Sequence, residues 1–138
     1  VDTAEPDVAE RLARLLAADP FARRLGIAFV DVAADGAVTV ALELGAEHEN
    51  FHGVTHGGAL FTLADTAFAL ASNAAGPRAV AIDTHLVLTG ATRAGDTLRA
   101  TAREVTRGRT LATYRVTVTR GDGRICGVFT GTVFIGER

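Results

Sequence analysis

The segment "HENFHGVTHGGALFTLADTAF", residues 48–68, runs from a polar loop bearing His48, His52 and His56 through Gly57-Gly58 into an apolar run with one carboxylate, Asp65. Paired glycines followed by leucine, phenylalanine and alanine in close succession predict a helix that starts at the glycines. It is apolar on nearly every side, so it must be covered on nearly every side. Burying an ionised carboxylate there costs several kcal/mol or more unless it is paired or keeps its proton, so Asp65 calls for a reason. The apolar run continues to about residue 75, nearly long enough to cross a bilayer. Asp65 at its centre, Ser72 and Asn73 beyond it and the lack of a basic flank argue against a membrane span.

Upstream of this helix, "DVAERLARLLAAD" places Val8, Leu12, Leu15 and Leu16 at helical spacing, with Asp7 and Glu10 in the form of a capping box. In "DPFARRLG", Asp19 suits an N-cap, Pro20 the first helical position and Gly26 the stop, which predicts a second, short helix. The period then changes to two. Residues 27–34 and 37–44 flank an Asp35-Gly36 turn, with Val38, Val40, Leu42 and Leu44 on one face and Thr39 and Glu43 on the other, as in a hairpin. Downstream, strands are expected at about 79–90, 97–106, 109–119 and 124–135, separated by glycine- and charge-bearing turns. Leu98, Ala100 and Ala102 alternate with Thr97, Arg99, Thr101 and Arg103, which predicts an antiparallel sheet packed on one face and wet on the other. The expected class is α+β, a long central helix wrapped by a curved antiparallel sheet, in a single domain over 1–138 with a helical extension at about 1–25.

Composition narrows the function. The chain of 138 residues is 48% hydrophobic, enough for a real core. Its 14 basic residues are all arginine, and against 16 acidic ones they leave a net charge of -2 with no basic block, so nucleic acid is a poor partner. The lone Cys126 builds no disulfide framework, and "VDTAEPDVAERLARL" is acidic where a signal peptide would be basic and then apolar. A soluble cytoplasmic protein is expected.

Asn50, Gly53, His56-Gly57-Gly58 and Asp65 together resemble the hot-dog-fold acyl-CoA thioesterases, and "HGGALFTLADTAFALASN" is especially similar to the phenylacetic-acid-degradation thioesterases. The resemblance runs from about residue 20 to the end and includes "GVFTGTVF". It implies a hot-dog fold, an acyl-CoA substrate, dimers that share their active sites and often pair again into tetramers, and no cofactor beyond the coenzyme A of the substrate itself. One departure stands out: family members often carry an Arg-Pro pair at the end of the strand after the helix, where this chain reads Val87-Leu88-Thr89-Gly90.

The chemistry also follows from the residues. Thioester hydrolysis needs donors for the oxygen that gains charge and a group that activates water or attacks the carbonyl. Gly57 and Gly58 lie where loop becomes helix, so their N–H groups lack helical partners and point along the positive end of the helix dipole. Asp65 supplies the carboxylate, raised by apolar surroundings toward a useful base, with Thr66 or the partner subunit's Asn50 to hold and orient it. Gly57 and Asp65 are eight residues apart on one helix, hence about 12 Å apart, and cannot both reach one carbonyl. If both act, they come from different subunits, with two helices antiparallel across a two-fold axis.

Other residues have competing readings. His48, His52 and His56 are spaced four apart, as metal ligands on a helix would be, but Gly53, Val54 and Thr55 make a poor helix, and no metal is expected. His56 instead fixes the loop or the substrate carbonyl, His85 is structural, and Cys126 is a packed thiol. Arg107 and Arg109 at a hairpin tip, with Arg93 and Arg78 in other loops, suit the phosphates of coenzyme A. The expected function is hydrolysis of an arylacetyl-CoA, of phenylacetyl or hydroxyphenylacetyl type. Gly57 polarises the carbonyl, Asp65 is base or nucleophile, Asn50 and His56 position water or carbonyl, and Gly58, Thr66, Arg107 and Arg109 bind substrate. The alternatives are a thioesterase for another acyl group, a non-catalytic acyl-CoA binder and, less well matched to the pattern, a hydratase of the same fold.

Overall fold

The computed structural model describes residues 6–136. Two helices, α1 (Pro6–Ala17) and α2 (Pro20–Leu25), precede a hairpin of β1 (Ala28–Val32) and β2 (Val38–Glu43). A single 3-10 turn at Ala46–His48 leads into α3 (Gly57–Ser72), and β3 (Ala79–Leu88), β4 (Thr97–Arg107), β5 (Leu111–Arg120) and β6 (Ile125–Ile135) complete the chain. All neighbouring strands are antiparallel, in the order β1-β2-β4-β5-β6-β3, so β1 and β3 are the edges. Bulges in β1, β3 and β4 add twist and let the sheet curve around α3. This is the hot-dog fold. Helix α1 begins at Pro6, so Asp7 lies inside it rather than capping it, and the Asp7 side chain falls outside the described residues. Asp19 does cap α2, accepting a hydrogen bond from the Ala22 N–H at 3.0 Å, and Gly26 ends it at φ 91°.

The core is the alternation read from the strands, closed over the helix. Val38, Val40 and Leu42 of β2, Leu98, Ala100 and Ala102 of β4, Val116 and Val118 of β5 and Phe129 of β6 are buried against Leu60, Leu63, Ala64, Ala67 and Phe68 of α3. Phe68 and Phe129 meet with ring centroids 5.4 Å apart, and room for them comes from Gly131. A Cβ on Gly131 would stand 2.7 Å from the Phe68 ring and 2.9 Å from that of Phe129. Gly131→Ala is therefore expected to lower stability by about 1–3 kcal/mol, as overpacking does, read as a lower midpoint in urea with an unchanged slope.

Two departures matter for function. The sheet and the N-terminal helices leave Gly58, Phe61 and Ala69 of α3 exposed in a stripe, with half-buried Asp65 on the same stripe and Gly57 and Thr62 half-buried beside it. Edge strand β3 exposes apolar side chains over most of its length, including Ile82, Val87 and Leu88. One chain does not suffice to cover the helix its sequence specifies, and the uncovered apolar surface lies where the candidate residues are.

Candidate functional site

Helix α3 starts where the paired glycines predict, and its N-terminus is built by two side chains. His56 is the N-cap, and its Nδ1 accepts the Gly58 N–H at 2.8 Å. The ring proton therefore sits on Nε2, which is left as an outward donor. Gly58 is thus not the free amide expected: its N–H is committed to His56, and a Cβ there would lie 2.9 Å from Nδ1. The Gly57 N–H has no acceptor among the described residues, so it is the amide available to a ligand.

The loop before the helix is held by Asn50. Its Oδ1 accepts from the His52 N–H at 2.8 Å and the Val54 N–H at 3.4 Å, while the main chains of Asn50 and Val54 bond at 2.8 Å. That network assigns the amide orientation and leaves Nδ2, with no acceptor among the described residues, as a spare donor. Gly53 closes the turn at φ 75°, a left-handed conformation that favours glycine. His48 is withdrawn from the histidine series: it is buried, its Nδ1 accepts from the Gly45 N–H at 2.9 Å, and its Nε2 donates to the Leu25 carbonyl at 2.7 Å. His52 is exposed against the Phe51 ring. The three histidines do not converge.

Asp65 is half-buried and has no hydrogen-bond partner among the described residues. Burial pushes its carboxyl above the ordinary carboxylate value, and the negative charge of Asp19 adds to the shift. Thr66 does not orient it. Its buried hydroxyl donates to the Thr62 carbonyl one turn back, at 2.7 Å, because an apolar surround leaves that carbonyl as its nearest acceptor. Asp19 was not foreseen as a neighbour, since only the packing of α2 across α3 brings the two carboxylates near.

Gly57 opens into a groove of about 310 Å³ lined by Val54, Leu60, Leu88, Gly90, Ala91 and Thr92. Through Val54, Ala91 and Thr92 it joins a larger one of about 710 Å³ that reaches Arg93, Asp96, Arg120 and Asp122. The stretch lacking an Arg-Pro pair forms the wall between groove and sheet: the Thr89 N–H donates to the Cys126 carbonyl at 3.0 Å, and Gly90 packs on the main chain of Ile125 and Cys126. Arg120 is spent on Asp122 and the Ala91 carbonyl, whereas the Arg93 guanidinium has no partner among the described residues. Arg107 is elsewhere. It donates to the Tyr114 hydroxyl at 3.2 Å, pairs with Glu104 at 3.6 Å, and shares a groove with Ala71, Ala74 and Ala75 at the C-terminal end of α3. Arg107 and the exposed hairpin residue Arg109 therefore stand, within one chain, at the end of α3 opposite Gly57. His85 is exposed on β3, and the Cys126 thiol is buried, pushed up by burial, with the Val118 carbonyl as its acceptor at 3.4 Å.

No helix among the described residues is long and apolar enough to cross a membrane. Residues 52–127 match the thioesterase superfamily. A putative esterase of Deinococcus radiodurans is 44% identical over 114 residues, 82% of this chain and 77% of that protein. The acyl-coenzyme A thioesterase PaaI of Escherichia coli is 35% identical over 113 residues, 82% of this chain and 80% of that protein. The structure of the E. coli PaaI protein, from the phenylacetic acid degradation operon, superposes with a TM-score of 0.89 at 31% identity, covering 97% of each chain. A Streptococcus mutans protein solved bound to acetyl CoA superposes at 0.76 with 32% identity, over 82% of this chain and 91% of that one.

Proposed function

This chain belongs to the thioesterase superfamily and is a thioester hydrolase of the acyl-CoA thioesterase kind, and from that premise we propose that it cleaves arylacetyl-CoA esters, phenylacetyl-CoA or a hydroxylated relative, to the free acid and coenzyme A. The observation that carries the catalytic reading is a pair unpartnered among the described residues: the Gly57 amide without an acceptor and the half-buried Asp65 carboxylate without a donor, about 12 Å apart along one helix. Each is half of a reaction centre. A second copy of the chain, with its α3 antiparallel, brings its Asp65 to the Gly57 amide of the first and covers the exposed stripe of α3 and the apolar edge of β3. Two copies of the site form on one interface. Pairing of such dimers into a tetramer is part of the proposal.

In that site the thioester oxygen accepts the Gly57 N–H, which faces the charge that develops as the carbonyl becomes tetrahedral. The carboxylate of Asp65 from the partner subunit takes a proton from water as the oxygen attacks carbon. Collapse of the intermediate then breaks the carbon–sulfur bond and releases the thiolate, which takes up a proton. Asn50 Nδ2 and His56 Nε2 are donors for the water and carbonyl. What supports the arylacetyl group is the likeness to the E. coli PaaI protein of the phenylacetic acid degradation operon. The groove running from Gly57 to Arg93 suits the extended thiol arm of coenzyme A, with Arg93 free for a phosphate. Arg107 and Arg109 reach such a substrate only from the partner subunit.

A thiol-release assay across a panel of CoA esters tests the reading. Arylacetyl esters are expected to give the highest kcat/KM, and saturation without thiol release would overturn it. The acid limb of the pH–rate profile should lie above the ordinary carboxylate value, because activity falls as pH drops through the raised titration of Asp65. Asp19→Asn keeps a good N-cap on α2 but removes the like charge, so it is expected to move that limb to lower pH. An unmoved limb would mean that Asp65 does not govern the rate.

A further inference from the structure

The groove at Gly57 lies on one side of the α3 N-terminus. On the side away from Gly57 and Leu88 is a second cleft, about 300 Å³, lined by Phe21 and Leu25 of α2 and by His56, Gly58, Ala59 and Thr62. Its volume is at the lower end of those that hold small ligands, and its lining is mainly apolar. Phe21 is 64% exposed there, a large apolar ring on a short helix. Two of its walls, His56 and Gly58, belong to the candidate site, and Thr62 lies one turn before Asp65 on α3.

Resting on the thioesterase reading above, we propose that this cleft seats the acyl group and that Phe21, supplied by the N-terminal helices, is the residue that selects an aromatic one. A thioester whose oxygen lies on the Gly57 amide then straddles the helix N-terminus. Its sulfur enters the groove toward Arg93, and its acyl carbon passes over Gly58 toward Phe21. An aryl ring one methylene from the carbonyl meets the Phe21 ring, where edge-to-face contact adds to apolar burial. Glu47 and Glu49 also border the cleft and place negative charge beside the seat. Acyl groups ending in a carboxylate are disfavoured there by like-charge repulsion.

The test is kcat/KM for phenylacetyl-, acetyl- and succinyl-CoA in the wild type, Phe21→Ala and Phe21→Leu. Phe21→Ala is expected to lower the phenylacetyl-to-acetyl ratio by about tenfold, one aromatic contact and its buried area, with Phe21→Leu between it and wild type. Succinyl-CoA should be the poorest ester of the wild type. An unchanged ratio in both variants, or succinyl-CoA cleaved as fast as phenylacetyl-CoA, overturns the acyl seat while the hydrolase reading stands. A wild type that releases thiol from none of the three overturns both.

Discussion

Replacing Asp65 with asparagine is expected to lower turnover of the preferred CoA ester by about a hundredfold or more, while leaving the fold at least as stable as before. The loss follows from the role: a positioned acid–base group contributes on the order of 10²–10⁴-fold, and an amide cannot take the proton from water. The gain in stability follows from the environment. The carboxyl of Asp65 is raised in the folded protein, so folding favours its protonated form. The stability this confers is fully present below its ordinary value of 3.8 and is lost as pH rises through the folded value, so at neutral pH the ionised group is a burden. Asparagine has no such titration. The difference in Tm between variant and wild type should therefore grow in the variant's favour as pH rises from acid to neutral. Taking the difference removes the opposing titrations of Asp35 and Asp122, whose carboxyls are held low. A structural Asp65 would give the reverse, a variant that is active and less stable.

Much of this is legible in short stretches of the sequence. The start of α3 is marked by Gly57-Gly58, its length by the apolar run, and the strands by period-two alternation in which Leu98, Ala100 and Ala102 face inward as their spacing predicts. These are local properties, fixed by backbone geometry. What is not legible depends on distant contacts. The loss of the Gly58 amide to His56 turns on a side-chain rotamer, and the withdrawal of His48 on the Leu25 carbonyl, 23 positions away. That Thr66 turns back to Thr62 was foreseeable in principle, since a buried hydroxyl in a helix commonly bonds the carbonyl four residues earlier. Arg107 is legible as a turn residue, but which end of α3 that turn reaches is a matter of sheet order, with β4 lying between β2 and β5. The approach of Asp19 to Asp65 and the cleft under Phe21 both come from α2 crossing α3, and no periodicity encodes a crossing.

The division of one site between two chains makes a prediction that a site within one chain cannot. Gly57 occupies the first position of α3 with a negative φ, where proline is tolerated, and His56 before it is extended at ψ 129°, as a residue preceding proline must be. Gly57→Pro therefore removes the free N–H and little else, and should lower kcat by about 10²–10³, the usual cost of one oxyanion donor. Gly57→Ala is the control. It keeps the N–H, its methyl would stand 3.5 Å from the Leu88 side chain, and it should retain far more activity than the proline variant. Co-expressing Gly57→Pro with Asp65→Asn subunits then separates the two geometries. In a mixed dimer, the intact Gly57 of one chain faces the intact Asp65 of the other, so one of its two sites is whole. With equal expression and random pairing, about a quarter of wild-type activity should return from two nearly inactive parents. Were the amide and the carboxylate to act within the same chain, every site in the mixture would carry one lesion and no activity would return. A purified mixed dimer as inactive as its parents would thus overturn the shared site, whatever either single variant does alone.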